Sequence, residues 1–162
     1  MLCKCLERII KAALQGHLEQ LSLISSSQHG FRAKRSCVTN LLIARETWVN
    51  FINDSRRLDV VFIDFSKAFD KVPHQRLLLK LKGNGIQGKL LTWITDFLTD
   101  RRCSVKDASS DLASCESGVP QGSVLRLEFF TVYINDLPEV LRANCLLYAD
   151  DLKLWAPVSS IE

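Results

Sequence analysis

No two cysteines in this 162-residue chain stand in C-x-x-C spacing, although six are present. Cys3, Cys5, Cys37, Cys103, Cys115 and Cys145 are scattered, with only His17, His29 and His74 beside them, which excludes the ligand spacing of a structural zinc site. Scattered thiols fit a reducing, intracellular setting better than a disulfide framework. Long apolar runs are also lacking: none approaches the roughly 20 residues that a bilayer-spanning helix needs. Lys4, Glu7, Arg8 and Lys11 break the N-terminal stretch that a secretory signal would keep apolar. Internal repeats, a low-complexity linker, regular βαβ alternation and a glycine-rich nucleotide fingerprint are all missing, so repeat architectures and dinucleotide-binding folds drop out.

What is present suffices for one globular domain, since 47% of the residues are hydrophobic. A net charge of +3 decides little about partners. The basic clusters Arg32–Lys34–Arg35, Arg56–Arg57 and Arg101–Arg102 fit solvated surface as well as they fit a polyanion.

Leu2, Leu6, Ile9, Ile10 and Ala13 recur at helical spacing and predict an amphipathic helix over 2–16. The polar, basic stretch SSSQHGFRAKRSC, Ser25 to Cys37, reads as a loop or irregular finger. Val38, Leu41, Leu42, Trp48, Val49 and Ile52 predict one face of a second helix. DVVFIDF then switches to a continuous β-branched and aromatic run, the pattern of a strand buried on both faces. HQRLLLKLKGNG predicts a short helix closed by Gly83 and Gly85, and Leu90, Leu91, Ile94, Phe97 and Leu98 predict another. CSVK and LASC resemble strand scraps, SGVPQGS is a punctuated loop, and CLLYADDLKLW reads as two short strands around a turn. The mixture predicts an α+β domain, helices packed on a small, largely antiparallel sheet.

The acidic residues stand out against this background. Asp64 ends an apolar strand, Asp70 follows six residues later, and Asp150 and Asp151 occupy the turn of the last hairpin. Aspartate is common at turns and helix N-caps, so each taken alone has a structural explanation. A carboxylate set against apolar strands, however, needs hydrogen bonds or a cation. A divalent metal with hard oxygen ligands would supply one. Two such ions ~3.5–4 Å apart can activate a hydroxyl and stabilise a leaving oxygen in phosphoryl transfer. The carboxylates alone leave the reaction open.

Four stretches in order, QHGFRAKRSC, VVFIDFSKAFDKVPHQRLL, SGVPQGSVL and YADDLKLW, together with GIQGKLLTWITDFLTDRR and YINDLP, resemble the reverse transcriptase of a non-LTR (LINE-type) retrotransposon. The resemblance covers essentially the whole chain. It implies a right-hand polymerase fold, with a finger-like segment over 1–57 and a palm carrying the catalytic motifs over 58–162, thumb and endonuclease absent. It implies Asp64, Asp150 and Asp151 as catalytic residues, with Asp64, Asp150 and the Phe65 backbone carbonyl holding two Mg²⁺ ions that Mn²⁺ could replace. Phe69 would crowd the sugar of the incoming nucleotide and favour deoxynucleotides; Pro120, Gln121 and Gly122 would pack against nucleotide and template. Arg32, Lys34 and Arg35 would contact nucleic-acid phosphates. The implied partners are an RNA template, a DNA primer and dNTPs, with no membrane and no obligate protein partner, in cytoplasm and nucleus.

Plainer readings stand beside these. Asp70 would brace the following helix, Lys67 and Lys71 would be solvated, Trp48, Trp93 and Trp155 would pack, and His74 would be structural. One stretch departs from the family pattern: after GVPQGSVL the chain reads RLEFF, so Arg126, Leu127 and Glu128 replace Gly, Pro and an apolar residue. A buried, unpaired Glu128 would threaten the domain. A truncated, decayed element of weak or lost activity is the expectation, and its alternatives are a non-catalytic nucleic-acid-binding remnant and another palm polymerase that makes RNA.

Overall fold

The structure, a computed structural model, describes residues 2–54, 57–99, 102–103, 113–114 and 116–158. Along them run α1 (Leu2–Gln20), α2 (Cys37–Asn53), β1 (Leu58–Asp64), α3 (His74–Gly83), α4 (Gly88–Thr99), β2 (Arg102–Cys103), β3 (Ala113–Ser114), α5 (Arg126–Ile134), α6 (Leu137–Leu141), β4 (Asn144–Tyr148) and β5 (Asp151–Pro157). The strand scraps CSVK and LASC fall mostly outside the described residues; what is described there is the short antiparallel pairing of β2 with β3. Arg56 and Arg101 also lie outside them. No helix among the described residues is long and apolar enough to cross a membrane. The chain divides into two compact units, Met1–Leu23 with Lys67–Tyr133, and Ile24–Ser66 with Ile134–Glu162.

The first unit is mostly helical and includes the β2–β3 pair. α1 forms where periodicity predicts a helix but extends to Gln20 and buries a different face: Glu7, Leu14 and Leu18 are inside, while Leu2, Leu6 and Ile9 are exposed. A polar anchor explains the rotation. The Glu7 carboxylate accepts hydrogen bonds from Ser123 Oγ at 2.8 Å and the Val124 backbone N–H at 2.7 Å, satisfying a charge that burial alone would penalise. α3 buries His74, Leu77 and Leu81, and α4 buries Ile94 and Leu98. Each fully buried leucine contributes roughly 1.5–3 kcal/mol. His17 Nε2 lies 2.8 Å from the Asn84 carbonyl and ties α1 to the end of α3. On α5, Phe129, Phe130 and Val132 are buried, with Phe129 edge-on to Phe97 at 6.4 Å. Glu128 is buried as the sequence suggests, but it is not alone: Lys11 Nζ lies 2.8 Å from its Oε1. The contact is a charge pair.

The second unit holds an antiparallel sheet in the order β1-β5-β4. Ser36 and Thr39 start α2 with a reciprocal capping box, Thr39 N–H to Ser36 Oγ at 3.1 Å and Ser36 N–H to Thr39 Oγ1 at 2.9 Å. α2 packs on one face of the sheet: Ala44, Leu146 and Trp155 are buried together, with Trp48, Phe51, Leu58 and Val60 packed around them. The buried stripe is therefore Asn40–Ala44–Trp48–Phe51, whereas Val38, Leu41, Leu42, Val49 and Ile52 are exposed. Trp48 decides this rotation, because its ring packs edge-on against both Phe62 and Trp155 at 6.2 and 6.1 Å. β1 also corrects the expectation of burial on both faces. It is an edge strand, and Val61 and Phe62 are 51% and 66% exposed. The outer side of β4 is covered by the Ser27–His29 segment, which exchanges backbone hydrogen bonds with Leu147 at 2.9 Å.

Candidate functional site

Strand register in the second unit brings together the acids that sequence places far apart. β1 and β5 pair from Leu58 opposite Pro157 through to Asp64 opposite Asp151, and β4 closes with Tyr148 opposite Asp151. Direct partners in an antiparallel pair have Cβ atoms ~4.5–5.5 Å apart on one face, where like charges repel. Ala149 and Asp150 form the intervening turn, Ala149 at a φ of 58° in the left-handed region that favours glycine. Asp64 and Asp151 are exposed, Asp150 half-buried. The sequence ranks Asp150 above Asp151, yet register sets Asp151 directly opposite Asp64, with Asp150 one residue away in the turn. Phe62, Asp64, Tyr148, Asp151 and Lys153 line a cleft of about 330 Å³.

Among the described residues, no three or more His, Cys, Asp and Glu side chains gather closely enough to hold an ion unaided. The donor set still suits a hard divalent cation. Mg²⁺ is usually bound by one or two carboxylates, with water and substrate phosphates completing its shell, rather than by an all-protein cage. The opposed Asp64 and Asp151 supply the two carboxylates of such a shell.

Buried amides that the sequence reading passed over support this hairpin. Asn40, 1% exposed, donates from Nδ2 to the Leu147 carbonyl at 3.1 Å and accepts at Oδ1 from Lys153 Nζ. Gln28, equally buried, bonds the backbone of Ala149. Polar residues inside SSSQHGF and at one point of a helical stripe gave no signal, because their partners lie more than 100 residues away in sequence.

His29 is held neutral nearby. Burial, then the charges of Arg35, Arg32 and Lys153, push its pKa below the ordinary 6.5. Arg35 Nη1 lies 2.9 Å from Nε2, and a guanidinium only donates, so Nε2 accepts and the Nδ1–H donates to Thr39 Oγ1 at 3.0 Å. The unfolded chain takes up a proton as pH falls below about 6.5 and the folded chain resists it. Stability from this group is therefore complete above that pH and is lost as pH drops toward the folded value. Urea midpoints should fall between pH 7.5 and 5.5, by at most ~1.4 kcal/mol per pH unit, and His29→Gln should flatten that slope. An unchanged slope in the variant would assign the acid sensitivity elsewhere.

The basic residues of the 25–37 segment are placed differently from one another. Arg32 Nη1 donates to the Ile24 and Ser25 carbonyls at 3.3 and 2.8 Å, and Arg35 Nη1 donates to the Ser26 carbonyl at 2.6 Å. Both guanidinium groups brace their own loop, while Lys34 is exposed. Phe65, whose carbonyl the resemblance implicates, follows the end of β1 and is half-buried.

The first unit assembles the other predicted residues. SGVPQGS lies along the Phe69–Pro73 segment: Val119 N–H donates to the Phe69 carbonyl at 3.0 Å and Gly118 N–H to the Val72 carbonyl at 2.8 Å. His74, buried, places Nε2 2.8 Å from the Gly118 carbonyl. Gln121 and Gly122 are exposed, Pro120 half-buried. Phe69 packs 4.4 Å from the Phe130 ring, and the Arg126 guanidinium sits 4.4 Å above its face. Arg126 thus covers part of Phe69 and also approaches Asp70 at 3.8 Å. Gly118 permits the close packing of this loop: its φ is +86°, and a Cβ there would lie 2.9 Å from the Asp70 carbonyl oxygen. Gly118→Ala should cost ~2–3 kcal/mol from backbone strain and overlap, read as a lowered urea midpoint; a shift under ~0.5 kcal/mol would show that the loop can move aside.

Residues 1–158 match the model of the family described as reverse transcriptase (RNA-dependent DNA polymerase). The chain is 30% identical over 163 residues to the probable RNA-directed DNA polymerase from transposon BS of Drosophila melanogaster, covering 94% of this chain and 18% of that protein. It is 30% identical over 162 residues to the RNA-directed DNA polymerase from mobile element jockey of Drosophila funebris, covering 92% and 17%. The chain spans about a fifth of the length of these curated relatives. Telomerase from Candida albicans, solved with a fragment of telomeric RNA, superposes with a TM-score of 0.71 at 15% identity, over 94% of this chain and 31% of that one.

Proposed function

The chain belongs to the reverse transcriptase (RNA-dependent DNA polymerase) family, and from that premise we propose that it carries the RNA-directed DNA polymerase chemistry of a non-LTR retrotransposon. A DNA primer would be extended on an RNA template. Its 3′-OH attacks the α-phosphate of a dNTP, a new P–O bond forms, the bond to the β-phosphate oxygen breaks, and pyrophosphate leaves. The primer hydroxyl gives up its proton to solvent or a nearby base.

The observation that carries this reading is the opposition of Asp64 and Asp151 in register, with Asp150 in the adjoining turn. Two divalent ions, Mg²⁺ or Mn²⁺, would polarise the attacking hydroxyl and offset charge on the leaving oxygens when bound. Asp64 and Asp150, with the Phe65 carbonyl, would hold them, and Asp151 would add negative charge from the facing strand. Phe69, fixed between Phe130 and Arg126, would limit room for a ribose 2′-OH. Pro120, Gln121 and Gly122 would face the nucleotide and template. We assign residues 1–57 to a finger-like segment and 58–162 to the palm, acting on nucleic acid in cytoplasm and nucleus.

Primer extension on an RNA template tests the reading. dNTP incorporation that requires Mg²⁺ or Mn²⁺ and excludes NTPs supports it. RNA binding without extension under any metal would favour the non-catalytic remnant, a reading weakened by Arg32 and Arg35 being engaged by backbone carbonyls.

A further inference from the structure

We propose that Gln28 and Gly30 are positioning residues that lock the aspartate turn. The inference rests on the reading of Asp64, Asp150 and Asp151 as a metal-holding set. Ala149, the residue immediately before the paired aspartates, has a left-handed backbone with a φ of 58° that an alanine does not adopt readily. Something must hold it there, and one side chain addresses both of its backbone groups. Gln28 Oε1 accepts from the Ala149 N–H at 3.1 Å, and Gln28 Nε2 donates to the Ala149 carbonyl at 3.3 Å. The same Oε1 accepts from the Gly30 N–H at 2.7 Å, which fixes the amide's orientation. Gln28 is 1% exposed, so water does not compete for these bonds.

Gly30 completes the device by what it lacks. A Cβ at this position would lie 2.3 Å from the Ala149 nitrogen and 2.9 Å from its Cα, and these are backbone atoms that cannot swing away. The Gln28 and Gly30 backbone therefore sits flush against the turn. Around it, Leu147 is gripped by Ser27 and His29 through backbone bonds and by Asn40 through its side-chain amide. The direction in which Asp150 and Asp151 leave the turn is thus set by the QHG segment, an element outside the hairpin. Ligand-orienting groups of this kind are typically worth 10–100-fold in metal affinity.

Mn²⁺ titration followed by electron paramagnetic resonance, with amide hydrogen exchange at Ala149, tests the proposal on the chain as it stands. Gln28→Met should speed Ala149 exchange and weaken Mn²⁺ binding ~10–100-fold, and Gly30→Ala should do the same. Adding Ala149→Gly to Gln28→Met should restore much of the Mn²⁺ affinity, because glycine holds the left-handed conformation unaided; a purely global loss of stability would not be rescued this way. If Gln28→Met does not fold, Gln28→Glu replaces it, keeping the acceptor and losing the donor. Mn²⁺ affinity within twofold of the parent in folded Gln28 and Gly30 variants, while Asp64→Asn loses it, overturns the positioning role and leaves the metal reading intact. Mn²⁺ affinity unchanged in Asp64→Asn overturns the metal reading; the lock is then supported if Gln28→Met speeds Ala149 exchange and overturned if it does not.

Discussion

On the proposed assignment, Asp64→Asn should reduce any RNA-templated primer extension by about 10³-fold or more, equivalent to ~4 kcal/mol of transition-state stabilisation. The substitution keeps shape and hydrogen-bonding capacity and removes the negative charge, so the fold should survive while cation affinity falls. The strand register adds a second signature. Asp64 faces Asp151 directly, and like charges so placed repel. Without divalent metal, Asp64→Asn and Asp151→Asn should therefore each leave the second unit slightly more stable than the parent, by a few tenths of a kcal/mol. With Mn²⁺ the order should invert, since only the parent gains binding free energy. A thermal melt with and without metal reads this directly. Extension unaffected by Asp64→Asn, or melts that keep the same order in both conditions, would remove Asp64 from the site. Comparing Asp150→Asn with Asp151→Asn ranks the turn acids: the family resemblance favours the former for the larger loss, whereas register gives Asp151 the closer approach to Asp64.

The parts of the fold that were legible in sequence are those governed by local rules. α3 ends at Gly83, as its glycines predict, and α4 covers the stretch that its apolar spacing predicts. The hairpin of β4 and β5 follows from two apolar runs around YADD. Faces were harder than elements. α1 and α2 carry apolar residues on several sides, so periodicity alone could not say which stripe would be buried. The choice came from Glu7 meeting Ser123 and from Trp48 meeting Trp155, contacts more than 100 residues apart in sequence. β1 illustrates the opposite error: its uninterrupted apolar run implies two buried faces, yet in this chain it is an edge strand with Phe62 well exposed. The aspartates were legible as motifs, but their register was not, and Gln28 and Asn40 were invisible because a buried amide is recognised only by what it touches.

Lys11→Met should be the most damaging substitution away from the acidic hairpin. Glu128 is 5% exposed with Oε2 unpartnered among the described residues. Lys11 Nζ, 2.8 Å from Oε1, is the neighbouring cation, and its own side chain is 30% exposed. Removing one partner of a buried pair typically costs 3–5 kcal/mol, because the other charge is left uncompensated; the partial exposure of Lys11 lowers the expectation to ~2–3 kcal/mol. The reverse change is milder. In Glu128→Met the lysine can extend its ammonium into water along its alkyl stem, and methionine adapts to the vacated space. Lys11→Met with Glu128→Met should then be close to the parent or more stable, since apolar replacement of a buried ion pair is often neutral or favourable. Urea unfolding of the two single variants and the double variant gives the coupling directly. A Lys11→Met midpoint equal to the parent would mean that Glu128 is held by some other group; a double variant as unstable as Lys11→Met would mean that the loss does not come from an uncompensated Glu128 charge. The expected asymmetry, large for Lys11 alone and small for Glu128 alone, identifies the lysine on α1 as the compensation that lets this chain tolerate a buried acid on α5.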